Sequence, residues 1–127
     1  MPAAGSATGA TVVGARANRR RGEIEAVING ERRVLCLTLG ALAELETAFA
    51  VDSLNGLAER LSSGRLKAAD MIRIIGAGLR GGGNLYSDED VAAADVEGGL
   101  SGYATVVGDL LIATFLGAGA DASARPL

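Results

Sequence analysis

The dipeptide Asn29-Gly30 constrains this chain more than any other feature, because it stands between two segments of alternating hydrophobicity. Both residues tolerate the positive φ angles of a type I′ turn, whose twist matches the strands it joins. A β-hairpin over Gly22 to Thr38 follows, with Ile28 opposite Glu31, Ala26 opposite Arg33, Ile24 opposite Leu35 and Gly22 opposite Leu37. Side chains alternate across a strand, so Ile24, Ala26, Ile28, Leu35 and Leu37 share one face. Glu23, Glu25, Val27, Arg32, Val34 and Cys36 occupy the other. One face is core and the other is mostly wet. A lone hairpin is not stable in water, so a second layer must cover it.

Helices supply that layer. Thr38 is placed to cap a helix from Leu39 to Ala50, apolar at Leu42, Leu45 and Phe49. Ser53 is placed to cap Leu54 to Ser62, with Leu54, Leu57, Ala58 and Leu61 on one face and Gly64 closing it. Lys67 to about Leu79 reads as a third helix, apolar at Met71, Ile72, Ile75 and Leu79, with Asp70 in its first turn. Ser87-Asp88-Glu89-Asp90 opens a short fourth one with Asp90 in the capping-box position. The last, about Gly99 to Leu116, carries Leu100, Tyr103, Val107, Leu110, Leu111 and Phe115 along one stripe. The expected fold is α+β, an N-terminal β-hairpin packed on a bundle of about four to five helices. Residues 19–116 form its single domain. Residues 1–18 and 117–127, rich in Gly, Ala and Ser, are expected to be disordered tails.

The titratable inventory then limits the chemistry. There are 0 His and 1 Cys, which removes Ser-His-Asp and Cys-His catalysis, an internal disulfide and the usual zinc sites. Four of the 12 basic residues and none of the 15 acidic ones precede Gly22, so the body is acidic. Phosphate binding needs a positive surface, so no nucleic-acid groove is expected. No apolar run is read as reaching the roughly 18 to 20 residues that span a bilayer. Met1 to Ala15 lacks a basic region followed by an apolar one, so it is not read as a signal peptide. A cytoplasmic protein without enzymatic activity, cofactor or metal is the expectation.

Each tempting motif has a plainer reading. Gly76-Ala77-Gly78-Leu79-Arg80-Gly81 matches G-x-G-x-x-G, but a dinucleotide site needs a strand before it and a helix opening from it. Here a helix precedes it, so the motif reads as a helix end unravelling into Gly81-Gly82-Gly83, with Gly76 and Gly78 open to close helix–helix approach. Asp88, Glu89 and Asp90 lack calcium-loop spacing and read as helix capping. Glu44 and Glu46 diverge around their helix and read as a solvated face. Cys36 has only Arg32 within prospective reach as a cation and reads as structural. Arg19-Arg20-Arg21 lacks aromatic interleaving and reads as a solvated tail.

Arg19-Arg20-Arg21-Gly22-Glu23, the run from Leu35 to Glu46, Leu66 to Asp70, and the run from Ile72 to Gly81 occur in an order that resembles a known family. It is the small tail assembly chaperone family encoded in gene transfer agents and related tailed-phage clusters, and the resemblance covers about residues 19 to 115. It differs from the usual pattern at its N-terminal extension and at Lys67, where a Ser cap is usual. The resemblance implies a protein that binds the long, helical tape measure protein in the cytoplasm of a bacterial host cell before the tail tube closes around it. It carries no catalytic or ligand residues with it. The expected groove for the partner lies between the third and last helices, with the outer hairpin edge as a second place. Some family members are labelled tail tube proteins, and the alternative is a structural, tube-associated tail subunit retained in the particle, pairing through free hairpin edges. A tube subunit is expected to carry a sizeable sheet, and two strands favour the chaperone. Self-association is left open.

Overall fold

The computed structural model describes residues 17–18 and 21–117. The expected tails lie outside the described residues, except for Ala17, Asn18 and Gly117. Ala17 and Asn18 are tied down: their N–H groups donate to the Glu25 and Glu23 carboxylates at 2.9 Å each, and the Asn18 carbonyl accepts from Glu23 N–H at 3.0 Å.

The hairpin forms as its turn chemistry dictates. Strands β1 (Glu23–Ile28) and β2 (Glu31–Cys36) pair antiparallel, with Ile24 opposite Leu35, Ala26 opposite Arg33 and Ile28 opposite Glu31. Asn29 and Gly30 have φ of 55° and 80°, the left-handed pair that a type I′ turn demands. Gly22 also has positive φ and stands outside the strand, so the ladder closes one pair earlier than the sequence suggests. Ile24, Ala26, Ile28, Leu35 and Leu37 are all buried.

Five α-helices follow among the described residues: α1 (Leu39–Ala48), α2 (Leu54–Leu61), α3 (Ala68–Gly81), α4 (Asp88–Ala93) and α5 (Gly99–Leu111). A π-helical turn, Ile112–Gly117, continues α5. The expected caps are in place: Thr38 accepts from Ala41 N–H, Ser53 from Gly56 N–H, and Ser87 and Asp90 form a reciprocal capping box. Helix α1 stops short of Ala50, because Ala50 takes a left-handed conformation with φ 56°. Its N–H and that of Val51 then reach back to the carbonyls of Thr47 and Glu46, the Schellman arrangement that ends a helix. At the start of α3 no Ser cap is needed. The Asp70 carboxylate accepts from Lys67 N–H at 2.9 Å and faces Arg60 of α2 at 3.3 Å.

Helix α3 is the centre of the molecule, touching β2, α1, α4 and α5. Six consecutive residues, Ile74 to Leu79, are buried, so the central part of this helix has no solvent face. Met71 and Ile72, expected on its core stripe, are only half-buried. The glycine motif stays helical to Gly81, two residues past the expected end, and the helix gives way at Gly82 and Gly83. A Cβ added to Gly78 would stand 2.7 Å from Leu110 Cδ2, and one added to Gly81 or Gly82 would stand 2.0 Å from the carbonyl oxygen of Cys36 or Val34. These glycines let the helix backbone rest directly on strand β2 and on α5.

Two predictions follow from this packing. Gly81→Ala is expected to destabilise the protein by about 1–3 kcal/mol, since the contact is backbone and cannot move aside. Gly108→Ala, where an added Cβ meets nothing within 4 Å, is expected to stabilise it by about 0.5–1 kcal/mol through helix propensity. Urea unfolding of the two variants checks both signs.

Asp70 supplies a pH test. Asp70 is 8% exposed. The hydrogen bond from Lys67 N–H holds its pKa below the ordinary carboxylate value, against the effect of burial and with help from Arg60. A depressed folded pKa gives stability that is present above the unfolded value of about 3.9 and is lost as pH falls through the folded one. Asp70→Ala is therefore expected to lose about 1–2 kcal/mol at pH 7. Its deficit against the wild type should narrow below about pH 4 in urea titrations at several pH values.

Candidate functional site

The last helix divides its apolar residues between the core and the outside. Val106, Val107, Leu110 and Ala113 are buried, while Leu100, Ile112 and Leu116 are 76%, 48% and 60% exposed. Tyr103, Leu111 and Phe115, expected on the core stripe, lie half-buried along the border. The core face is thus displaced from the expected stripe, and the side that carries Leu100 and Leu116 looks outward. The segment Gly99–Leu116 has 18 residues of mean hydropathy 1.5, so by length and composition it is able to cross a membrane, contrary to the expectation that no run is long enough. In the fold its inner side packs on β1 and α3, and the Tyr103 hydroxyl donates to the Ala94 carbonyl at 2.8 Å.

Two hollows flank the outward side. One, of about 340 Å³, lies between α2 and the end of α5, walled by Ala58, Leu61, Leu111, Ile112, Phe115 and Leu116. The other, of about 400 Å³, is bounded by Leu66 and Met71 on one side and Leu100, Ala104 and Val107 on the other. Both include Gly108 and Leu111, so they form one apolar trough. The third and last helices meet in it as expected. The contribution of α2 was not foreseen, because nothing in the spacing of Leu54 to Ser62 says which helix it will lie beside.

The hairpin edges are partly taken. Near the turn, β1 bonds to the segment before α5: Asn29 N–H donates to the Asp95 carbonyl at 2.7 Å and Glu97 N–H to the Val27 carbonyl at 3.1 Å. On β2, the Asn84 side chain donates to the Val34 carbonyl at 2.8 Å, beside the glycines of α3. Edge pairing between subunits, which free edges would favour, is restricted accordingly.

The remaining motifs serve the fold. Arg80 is the node the sequence reading overlooked. Its guanidinium pairs with Glu44 of α1, with Asp88 of α4 at 3.2 Å, and donates to the Tyr86 carbonyl at 2.8 Å. Glu44 is therefore an ion-pair partner and not merely a solvated acid. Gly76 leaves room for this node, since a Cβ there would stand 2.3 Å from the Asp88 carboxylate. Asp90 caps α4 and Glu89 is exposed, and among the described residues no three metal-ligating side chains gather. Arg21 pairs with Glu23 at 3.9 Å, whereas Arg19 and Arg20 lie outside the described residues. The Cys36 thiol donates to the Arg21 carbonyl at 3.6 Å, while Arg32 turns to Glu25. Burial pushes that thiol above its ordinary pKa, Glu23 adds to the rise, and Arg21 opposes it.

A raised thiol pKa leaves less thiolate at neutral pH, and the thiolate is the nucleophile. Alkylation of native protein by iodoacetamide at pH 7 is expected to be at least several-fold slower than in urea. Equal rates would contradict this environment for Cys36.

Among known proteins, residues 21–117 match a family model described as phage tail tube protein, GTA-gp10. No curated protein and no solved structure matches the chain. The match corrects the expectation of a chaperone that binds the tape measure protein: the family that covers nearly all of the domain is described by the tail tube.

Proposed function

The chain belongs to the phage tail tube protein family described as GTA-gp10, and from that premise we propose that it is a structural, tube-associated subunit of a phage-like or gene transfer agent tail, retained in the particle. The family match carries this reading. It is supported by the surface, since a structural subunit works by contact and the trough beside α5 presents apolar walls with almost no polar chemistry. Self-association is part of the proposal, and its chemistry is the burial of aliphatic side chains. Such a role needs no nucleophile, base or cofactor, which accords with a chain of 0 His and 1 Cys.

The two-stranded sheet bears on how the contacts are made. With β1 engaged near the turn by residues 95–97 and the Val34 carbonyl held by Asn84, the hairpin offers a neighbour only part of its ladder. Side-chain packing by the helical layer is the broader route this fold leaves open.

Quantitative mass spectrometry of purified particles tests the proposal. The chain is expected in many copies per particle, in constant ratio to the other tail components. Its absence from particles, with the protein confined to the lysate, would overturn the reading.

A further inference from the structure

We propose that Ala17 and Asn18 guard the outer edge of β1, an autoinhibitory contact that keeps the hairpin from adding the strand of another copy. The inference concerns the hairpin alone and goes beyond the reading of the chain as a tail subunit.

The two-residue turn fixes which backbone groups face outward. Its closing pair, Ile28 and Glu31, exchanges both hydrogen bonds, and so do Ala26 with Arg33 and Ile24 with Leu35. The backbone groups of Glu23, Glu25 and Val27 are thereby turned away from β2. Their contacts agree: the Val27 carbonyl accepts from Glu97 N–H at 3.1 Å, and Glu23 N–H donates to the Asn18 carbonyl at 3.0 Å. On the opposite edge, the carbonyls of Val34 and Cys36 lie against Gly82 and Gly81 of α3. The stretch from Glu23 to Val27 is therefore where a further strand would enter.

Its sequence invites that entry. Glu23–Ile28 contains neither Pro nor Gly, and Ile24, Val27 and Ile28 are strand formers. Charge on an edge ordinarily deters pairing. Here Arg32 stands 3.6 Å from the Glu25 carboxylate and Arg21 3.9 Å from that of Glu23, so little net charge is left to repel a copy. A covering segment is the other remedy.

Residues 17–18 supply it in a form that cannot itself extend the sheet. Ala17 N–H and Asn18 N–H donate to the side-chain carboxylates of Glu25 and Glu23, at 2.9 Å each, and not to the carbonyls of the strand. The Asn18 carbonyl meanwhile takes both Glu23 N–H and, at 2.9 Å, Arg21 N–H. The clasp thus closes the start of β1 with bonds that include two charge-assisted ones. Among the described residues, Glu25 alone lies between this cover and the one at Val27, and so short an edge is a poor template for pairing.

The full chain carrying Ala17→Pro and Asn18→Pro tests this, because it loses both donated N–H groups and no charge. Circular dichroism confirms folding, and a reducing buffer keeps Cys36 from crosslinking. The Glu23 amide is expected to exchange at least roughly tenfold faster than in wild type. Thioflavin T fluorescence, which reads strand pairing and not helix contacts, is expected to rise after a lag several-fold shorter. Adding Glu25→Pro is expected to restore the wild-type lag, since the N–H it removes faces outward and only edge pairing needs it. An unchanged Glu23 amide, a wild-type lag once that amide is released, or a short lag that survives Glu25→Pro would each overturn the guard. Should a proline variant fail to fold, Glu23→Ala with Glu25→Ala opens the clasp from its other side, and Val27→Lys blocks the same edge.

Discussion

The rest of the structure depends on the approach of α3 to strand β2. At Gly81 and Gly82 the helix backbone comes so near the carbonyls of Cys36 and Val34 that a methyl group would have no room. That approach sets the depth at which Leu35 sits against Gly78 and Leu110, and so joins the hairpin, the central helix and the last helix into one core. Packing at backbone distance also lets a chain with 3% aromatic residues make a dense core from Ala, Val, Leu and Ile. The motif that superficially suggests a phosphate cradle is thus a helix–strand joint, and its glycines point at protein.

The same joint determines what remains outside. With α3 buried and the hairpin clamped against it, α5 covers the remaining side and keeps Val106, Val107 and Leu110 for the core. Its 18-residue apolar run exceeds what one face can bury, so Leu100, Ile112 and Leu116 are left facing outward. Burying such side chains is worth about 1.5–3 kcal/mol each, so this side of α5 is among the costliest the fold leaves in water. The polar links around Arg80 and Asp70 instead hold α1, α2, α3 and α4 in place, and none of them converges on a reaction centre.

What was legible in the sequence was local. The Asn29-Gly30 turn, the caps at Thr38, Ser53 and Ser87, and the α+β class rest on short-range backbone chemistry, and the structure places them as read. What was not legible depended on partners distant in the chain. The stripe on α5 held Val107 and Leu110 correctly but included the exposed Leu100 and missed Val106 and Ala113, because helical spacing shows that apolar residues align, not which ones meet β1. Gly76 and Gly78 were read as open to close helix–helix approach, but no local signal reports that it is Asp88 and Leu110 that lie over them. Whether the hairpin edges were free could not be read from strands alone, as Asn84 and residues 95–97 reach them from far along the chain. The resemblance found the right kind of particle, and the family match moved the role from an assembly chaperone to the tail tube.

The most direct test of the account is amide hydrogen exchange on a Gly82→Val variant. The account predicts faster exchange across β1, β2 and α5 together, because the new side chain forces α3 away from the Val34 carbonyl. Faster exchange confined to the residues around position 82 would contradict it.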